Sequence, residues 1–307
     1  MRNRFFKVVA TLAMAAILAV PVFLMPVLAL DFVPYNSRGN LTLPVLGGTN
    51  VQRNAQSEID YSRVRYGYVK VRWLDRAVEN VVVQVLGPGG LTYRYNINNM
   101  GRWETLPLTC GNGEYTVRVL RGLSDGRFAV SNSLNINVAL VDQFAPFLRP
   151  NQFVYFNEDS TVVALAGEIT ANSRTELESV TIVYNWVVDN IEYDFELART
   201  VRSGFVPDLE NVLYNRRGIC FCYAALMTAM LRSQGIPTQL VFGFVGDVYH
   251  AWISIWTEAT GWVNNIIQFN GETWRIMDPT FTSTSNRSLE ARNLVGNGEN
   301  HNPTSWR

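Results

Sequence analysis

The stretch from Arg217 to Pro237 constrains this chain more than any other. Gly218 permits a tight entry, and Cys220 stands where a helix should begin. Tyr223, Ala224, Met227, Met230 and Leu231 then recur at helical spacing on one face. Gly235 follows the last periodic residue and Pro237 forbids continuation, so the helix ends there. A thiol at a helix start meets unpaired backbone N–H groups and the positive end of the helix dipole, which favour thiolate. This is a nucleophile's setting.

Two partners follow in chain order. His250 lies in Tyr-His-Ala-Trp-Ile-Ser-Ile-Trp, an alternating run that predicts a strand, and Asp278 precedes Pro279 at the end of another. Thiol, imidazole and carboxylate together suit acyl chemistry: the imidazole takes the thiol proton and the acid orients the imidazole. Gly218-x-Cys220, Gly235-Ile-Pro237, His250-Ala-Trp252, Gly261-Trp262 and Asp278-Pro-Thr280 resemble the transglutaminase-like core of the papain-like superfamily. The resemblance covers roughly residues 176–281. It implies Cys220 as nucleophile, His250 as base and then acid, and Asp278 as the group orienting His250. It also selects Cys220 over Cys222, because the family nucleophile follows Gly-x. Cys222 stands where relatives often carry an acidic residue and is expected to be buried on the helix's second face.

Other chemistries find less support. Cys220, Cys222, His250 and Asp278 could supply four zinc ligands, but Cys-x-Cys is a poor spacing and no second Cys/His pair exists. No Walker loop, Gly-x-Gly-x-x-Gly, His-Glu-x-x-His or Gly-x-Ser-x-Gly occurs, so no metal and no cofactor are expected. Acidic and basic residues balance at 26 each. With no basic stripe, nucleic acid is not an expected partner.

The first residues read as an address. Arg2, Arg4 and Lys7 precede an apolar run from Val8 to Leu28, and Val27-Leu-Ala29 offers a cleavage site. A cleaved signal peptide over residues 1–29 is expected, with a retained N-terminal anchor as the alternative. The anchor would be the sole membrane contact. The catalytic half is then secreted or displayed at the cell surface. Three cysteines, Cys110, Cys220 and Cys222, give no disulfide framework, and the pairing of Cys110 stays open.

Along the chain, residues 30–57 read as a linker. Residues 58–145 show short alternating runs punctuated by turns: Tyr66–Trp73, Val81–Leu86, Leu91–Tyr95 and Glu114–Leu120. In the first, Val69, Val71 and Trp73 share one face and Tyr68, Lys70 and Arg72 the other. The pattern predicts an all-β sandwich. Leu108…Gly113-x-Tyr115 resembles the tyrosine corner of immunoglobulin-like domains. A Pro- and Asn-bearing connection follows from 142, and 146–285 reads as an α+β catalytic domain, helices first and antiparallel strands after. Within it a helix is predicted over 175–191 and a shorter one before Arg217, and Asn270-Gly271 marks a hairpin. Residues 286–307 read as a polar tail lying over the surface.

The expected fold is therefore an immunoglobulin-like sandwich followed by a papain-like, transglutaminase-like α+β domain. The expected function is an exported cysteine enzyme acting on amide or peptide bonds. Water resolving the acyl-enzyme would make it a peptidase or amidase, and an amine would make it a transglutaminase. Substrates would be peptides, proteins or cell-wall peptides. A non-catalytic binding or scaffolding protein keeping the same fold is the alternative.

Overall fold

Alternation in the first half builds two antiparallel sheets. The computed structural model describes residues 41–45, 47–245, 247–263, 267–269, 274–276 and 301–307. One sheet has the order β1-β2-β3-β6, from β1 (Val51–Arg53), β2 (Ser57–Asp60), β3 (Tyr68–Trp73) and β6 (Glu104–Pro107). The other has the order β5-β4-β7-β8, from β4 (Val81–Leu86), β5 (Thr92–Ile97), β7 (Gly113–Gly122) and β8 (Phe128–Val138). Val69, Val71 and Trp73 of the first sheet join Val83, Val85, Tyr95, Val117 and Val119 of the second in one buried cluster. The Tyr115 hydroxyl donates to the Gly111 carbonyl at 2.8 Å, tying the start of β7 to the turn before it.

Two expectations for this half need correction. Residues 51–57, assigned to a linker, supply β1 and the start of β2. The polar face of β3 is also covered: Tyr68 and Lys70 are buried, and the Val45 N–H donates to the Tyr68 hydroxyl at 3.0 Å. Burial lowers the Lys70 pKa, partly offset by Asp60.

The second half is an α+β layer. Helix α1 (Thr161–Ile169) and helix α2 (Glu176–Asn190) come first, the latter capped by the Thr175 hydroxyl, which accepts from the Glu178 N–H. The short strand β9 (Glu192–Tyr193) and helix α3 (Phe195–Thr200) follow, then helix α4 (Leu209–Asn215), capped by Asp208. Strand β10 (Arg217–Gly218) pairs in parallel with β9 and leads into helix α5 (Cys220–Ser233). The sequence predicts one apolar face for α5, yet every residue from Phe221 to Ser233 is buried. A helix apolar all round belongs at the centre of a core, and α1, α2, α4 and a sheet surround it.

That sheet has the order β13-β12-β11-β16, from β11 (Thr238–Val245), β12 (Val248–Thr257), β13 (Gly261–Val263) and β16 (His301–Trp306). A separate hairpin of β14 (Ile267–Phe269) and β15 (Trp274–Ile276) brackets Asn270-Gly271. The end of the chain corrects a third expectation. Residues 301–306 are not surface tail but a strand paired with β11. Arg307 is buried, its guanidinium 4.0 Å from the Tyr93 ring centroid and 4.9 Å from that of Tyr95.

Phe153 explains why the two halves do not hang on a free connection. It packs against both buried clusters, with ring centroids 5.5 Å from Tyr95 of β5, 5.9 Å from Phe221 and 5.9 Å from Phe242. The Thr109 hydroxyl adds a bond to the Trp306 carbonyl at 3.0 Å.

Candidate active site

The site is built from the junction that launches α5. The Glu192 N–H donates to the Arg216 carbonyl at 2.8 Å, and the Asp194 N–H to the Gly218 carbonyl at 2.9 Å. Asp194 also caps α3 by accepting from the Leu197 N–H, and Arg217 reaches it at 3.6 Å. Arg216 adopts a left-handed conformation, φ 55°, with its guanidinium 4.8 Å from the Trp186 ring centroid. From inside α5, the Tyr223 hydroxyl donates to the Ile191 carbonyl at 2.6 Å. The end of α2 and the start of α5 are thereby fastened together, which fixes where residue 220 stands.

Cys220 is the first residue of α5, half-buried, and no side chain caps the helix in front of it. The dipole and the free N–H groups of the first turn are open to whatever sits at its sulfur. Cys222 is its opposite. It is 1% exposed, and burial, the largest cause, pushes its thiol up to about 11. A Cβ on Gly218 would lie 2.4 Å from the Cys222 Cβ, so glycine is required there because Cys222 packs beneath it. The two thiols expected to compete are separated by burial: Cys220 is half-buried and Cys222 is sealed.

The sheet decides where the imidazole goes. In the β11–β12 pairing Leu240, Phe242 and Phe244 stand opposite Ile253, Ala251 and Tyr249, while Val241 and Gly243 stand opposite Trp252 and His250. Directly paired residues share a face, and successive residues alternate. Leu240, Phe242, Ala251 and Ile253 of the first set pack with α5 in the large buried cluster, while Phe244 and Tyr249 are exposed. The second set lies on the other face, where Val241 and Trp252 pack with Trp306. His250 is buried there, its ring centroid 6.5 Å from that of Trp252 at 25°. Thus α5 and His250 occupy opposite faces of β12. Tyr249, on the side of Phe242 and Phe244, has its pKa raised chiefly by burial, with Arg307 lowering it and Cys220 raising it further. Asp278 lies outside the described residues.

Sequence reasoning missed the roles of two residues near the start of α5 or across from it and of one at its far end. Tyr223 appears only as a core position, though its hydroxyl does the fastening. Tyr249 differs from His250 by one residue, and only the register assigns its face. Arg232, 1% exposed near the end of α5, donates to the carbonyls of Thr238 (2.9 Å) and Arg149 (2.7 Å) and to the backbone oxygen of Arg307 (2.7 Å). Burial lowers its pKa to about 9, and the three acceptors satisfy the cation that remains at neutral pH. A signal existed in the charge within an otherwise apolar helix. Among the described residues no group of three His, Cys, Asp or Glu side chains is placed to hold a metal.

Comparison with known proteins bears on the same segment. Residues 163–265 match the family model of the transglutaminase-like superfamily. An uncharacterized protein of Mycobacterium leprae is 29% identical over 140 residues, covering 42% of this chain and 47% of that protein. The human kyphoscoliosis peptidase is 26% identical over 132 residues, covering 39% of this chain and 18% of its own. The chain thus spans less than half the length of these curated relatives. Among solved structures, a candidate cysteine protease from Cytophaga hutchinsonii aligns over 84% of this chain and 82% of its own, with TM-score 0.37 and 14% identity. Red sea bream transglutaminase aligns over 71% of this chain and 48% of its own, with TM-score 0.27 and 14% identity. The segment that matches the transglutaminase-like superfamily model, residues 163–265, holds the helix that begins at Cys220 and the strands packed on it.

Proposed function

We propose that the protein is an exported cysteine enzyme that attacks amide bonds of peptides or proteins through Cys220. The observation that carries this reading is the contrast at the start of α5. A half-buried thiol faces an uncapped helix terminus inside a transglutaminase-like segment, while its neighbour Cys222 is sealed and held protonated. The thiolate adds to the amide carbonyl, and the Cys220 N–H helps hold the oxyanion. The amine leaves with a proton from the general acid, and a thioester remains on Cys220. Water then releases an acid, or a primary amine releases a new amide.

His250 is the proposed base and acid, with Asp278 orienting it. The apolar leader supports export. The proposed sandwich is immunoglobulin-like, supported by the sheet β1-β2-β3-β6 packed through one buried cluster against β5-β4-β7-β8 and by the Tyr115 hydroxyl bond.

The test is mass spectrometry of peptide mixtures incubated with wild type and Cys220→Ala, with and without a primary amine. Fragments whose masses sum to substrate plus water, or a product carrying the added amine in place of the amine released, made by wild type alone, support the enzyme and name the reaction. A second reading, a binding protein that keeps the fold without turnover, is favoured by His250 lying on the far face of β12. It predicts no product from either protein.

A further inference from the structure

The face of the β11–β12 hairpin that points toward Cys220 ends in exposed aromatic rings. Phe244 is 41% exposed and Tyr249 59% exposed, and their ring centroids lie 5.4 Å apart at 67°. The array continues inward: Tyr249 stacks with Phe242 at 6.4 Å and 10°, and Phe242 meets Phe221 at 4.9 Å and 83°. Phe221 follows Cys220 in the first turn of α5. Four rings therefore run from that first turn to the surface. The core does not need the outer two, because Phe242 already closes the buried cluster.

We infer that Phe244 and Tyr249 form a subsite for an aromatic or large apolar side chain next to the amide that Cys220 attacks. The inference rests on the proposed reactivity of Cys220 and names the substrate class of that same site. The occupant follows from continuity with the thiol. An extended peptide advances about 3.3 Å per residue, so a substrate whose carbonyl is at Cys220 carries its neighbouring side chains past these rings. Ring faces and edges offer a flanking aromatic side chain the offset and edge-on contacts that such groups prefer.

Two matched peptidyl acyloxymethyl ketones, one carrying phenylalanine beside the electrophile and one glycine, test this by intact-mass labelling rates at Cys220. Iodoacetamide, which has no side chain to recognise, reads thiol reactivity alone. The expected result is labelling about tenfold faster by the phenylalanine probe in wild type, a ratio of the size that aromatic contacts supply. The ratio should fall toward one in Phe244→Ala and Tyr249→Ala and survive in Tyr249→Phe, with each variant's own iodoacetamide rate as the reference for its thiol reactivity. Equal rates for the two probes in wild type, with Cys220 still taking iodoacetamide, overturn the subsite and leave the proposed function standing. No labelling of Cys220 by any of the three overturns both. Both substituted side chains are exposed, so the variants are expected to fold, and a thermal melt matching wild type checks it.

Discussion

The two faces of the β11–β12 pair share one backbone and one register yet hold opposite chemistry. The face toward α5 is apolar down its length, Leu240, Phe242, Ala251, Ile253 and Ile255, and opens into aromatic rings only beside Cys220. The far face carries His250 and Ser254 among tryptophans, with Gly243 left bare. A Cβ on Gly243 would lie 2.2 Å from the Asn302 carbonyl oxygen and 2.7 Å from the Trp252 ring. The near face is fixed by what the helix demands, and the far face by how closely β16 and Trp252 approach.

The largest effects should fall on activity. Cys220→Ala is expected to abolish product formation. His250→Ala is expected to lower it by about 100-fold or more if the imidazole serves as base and acid. Unchanged turnover in His250→Ala would assign that residue to the far-face packing alone and break the triad.

On the near face, Phe242→Ala removes a ring held among Phe153, Phe221 and Tyr249, and should cost about 4 kcal/mol in urea denaturation. On the far face, Gly243→Ala adds only a methyl group, but the atom it meets is backbone. The strand must move, at about 3 kcal/mol. A smaller loss for Phe242→Ala than for Gly243→Ala would reverse the assignment of the near face as the one carrying the core.

The smallest effect sharpens the contrast between the thiols. Burial raises the Cys222 pKa from 9.0 to about 11, so the unfolded chain loses this proton first as pH rises. The stability it contributes is complete below pH 9 and is lost on approaching pH 11, an amount of about 2 kcal/mol. Cys222→Ala should therefore show a shallower decline than wild type over that window. Parallel curves for the two proteins would place Cys222 in contact with solvent.

Much of this was legible in the sequence. The start and end of α5 follow from Gly218, Gly235 and Pro237, and the caps Thr175 and Asp208 precede their helices as side-chain chemistry requires. The inner faces of β3 and β7 follow from alternation. What could not be read depends on approach between distant segments. Alternation places His250 and Tyr249 on opposite faces but does not say which face α5 covers, because both neighbours of β12 are apolar strands. The strand at 301–306 carries asparagine, proline and serine, and pairs because β11 has an open edge rather than because of its own propensity. Arg232 reads as a solvated end of a helix until the carbonyls of three separate segments are seen to converge on it.

The most direct measurement is the site and rate of iodoacetamide labelling of the folded protein at pH 7, resolved by peptide mass. The account predicts that Cys220 is alkylated many-fold faster than Cys110 or Cys222. Equal slow modification of all three cysteines would contradict it.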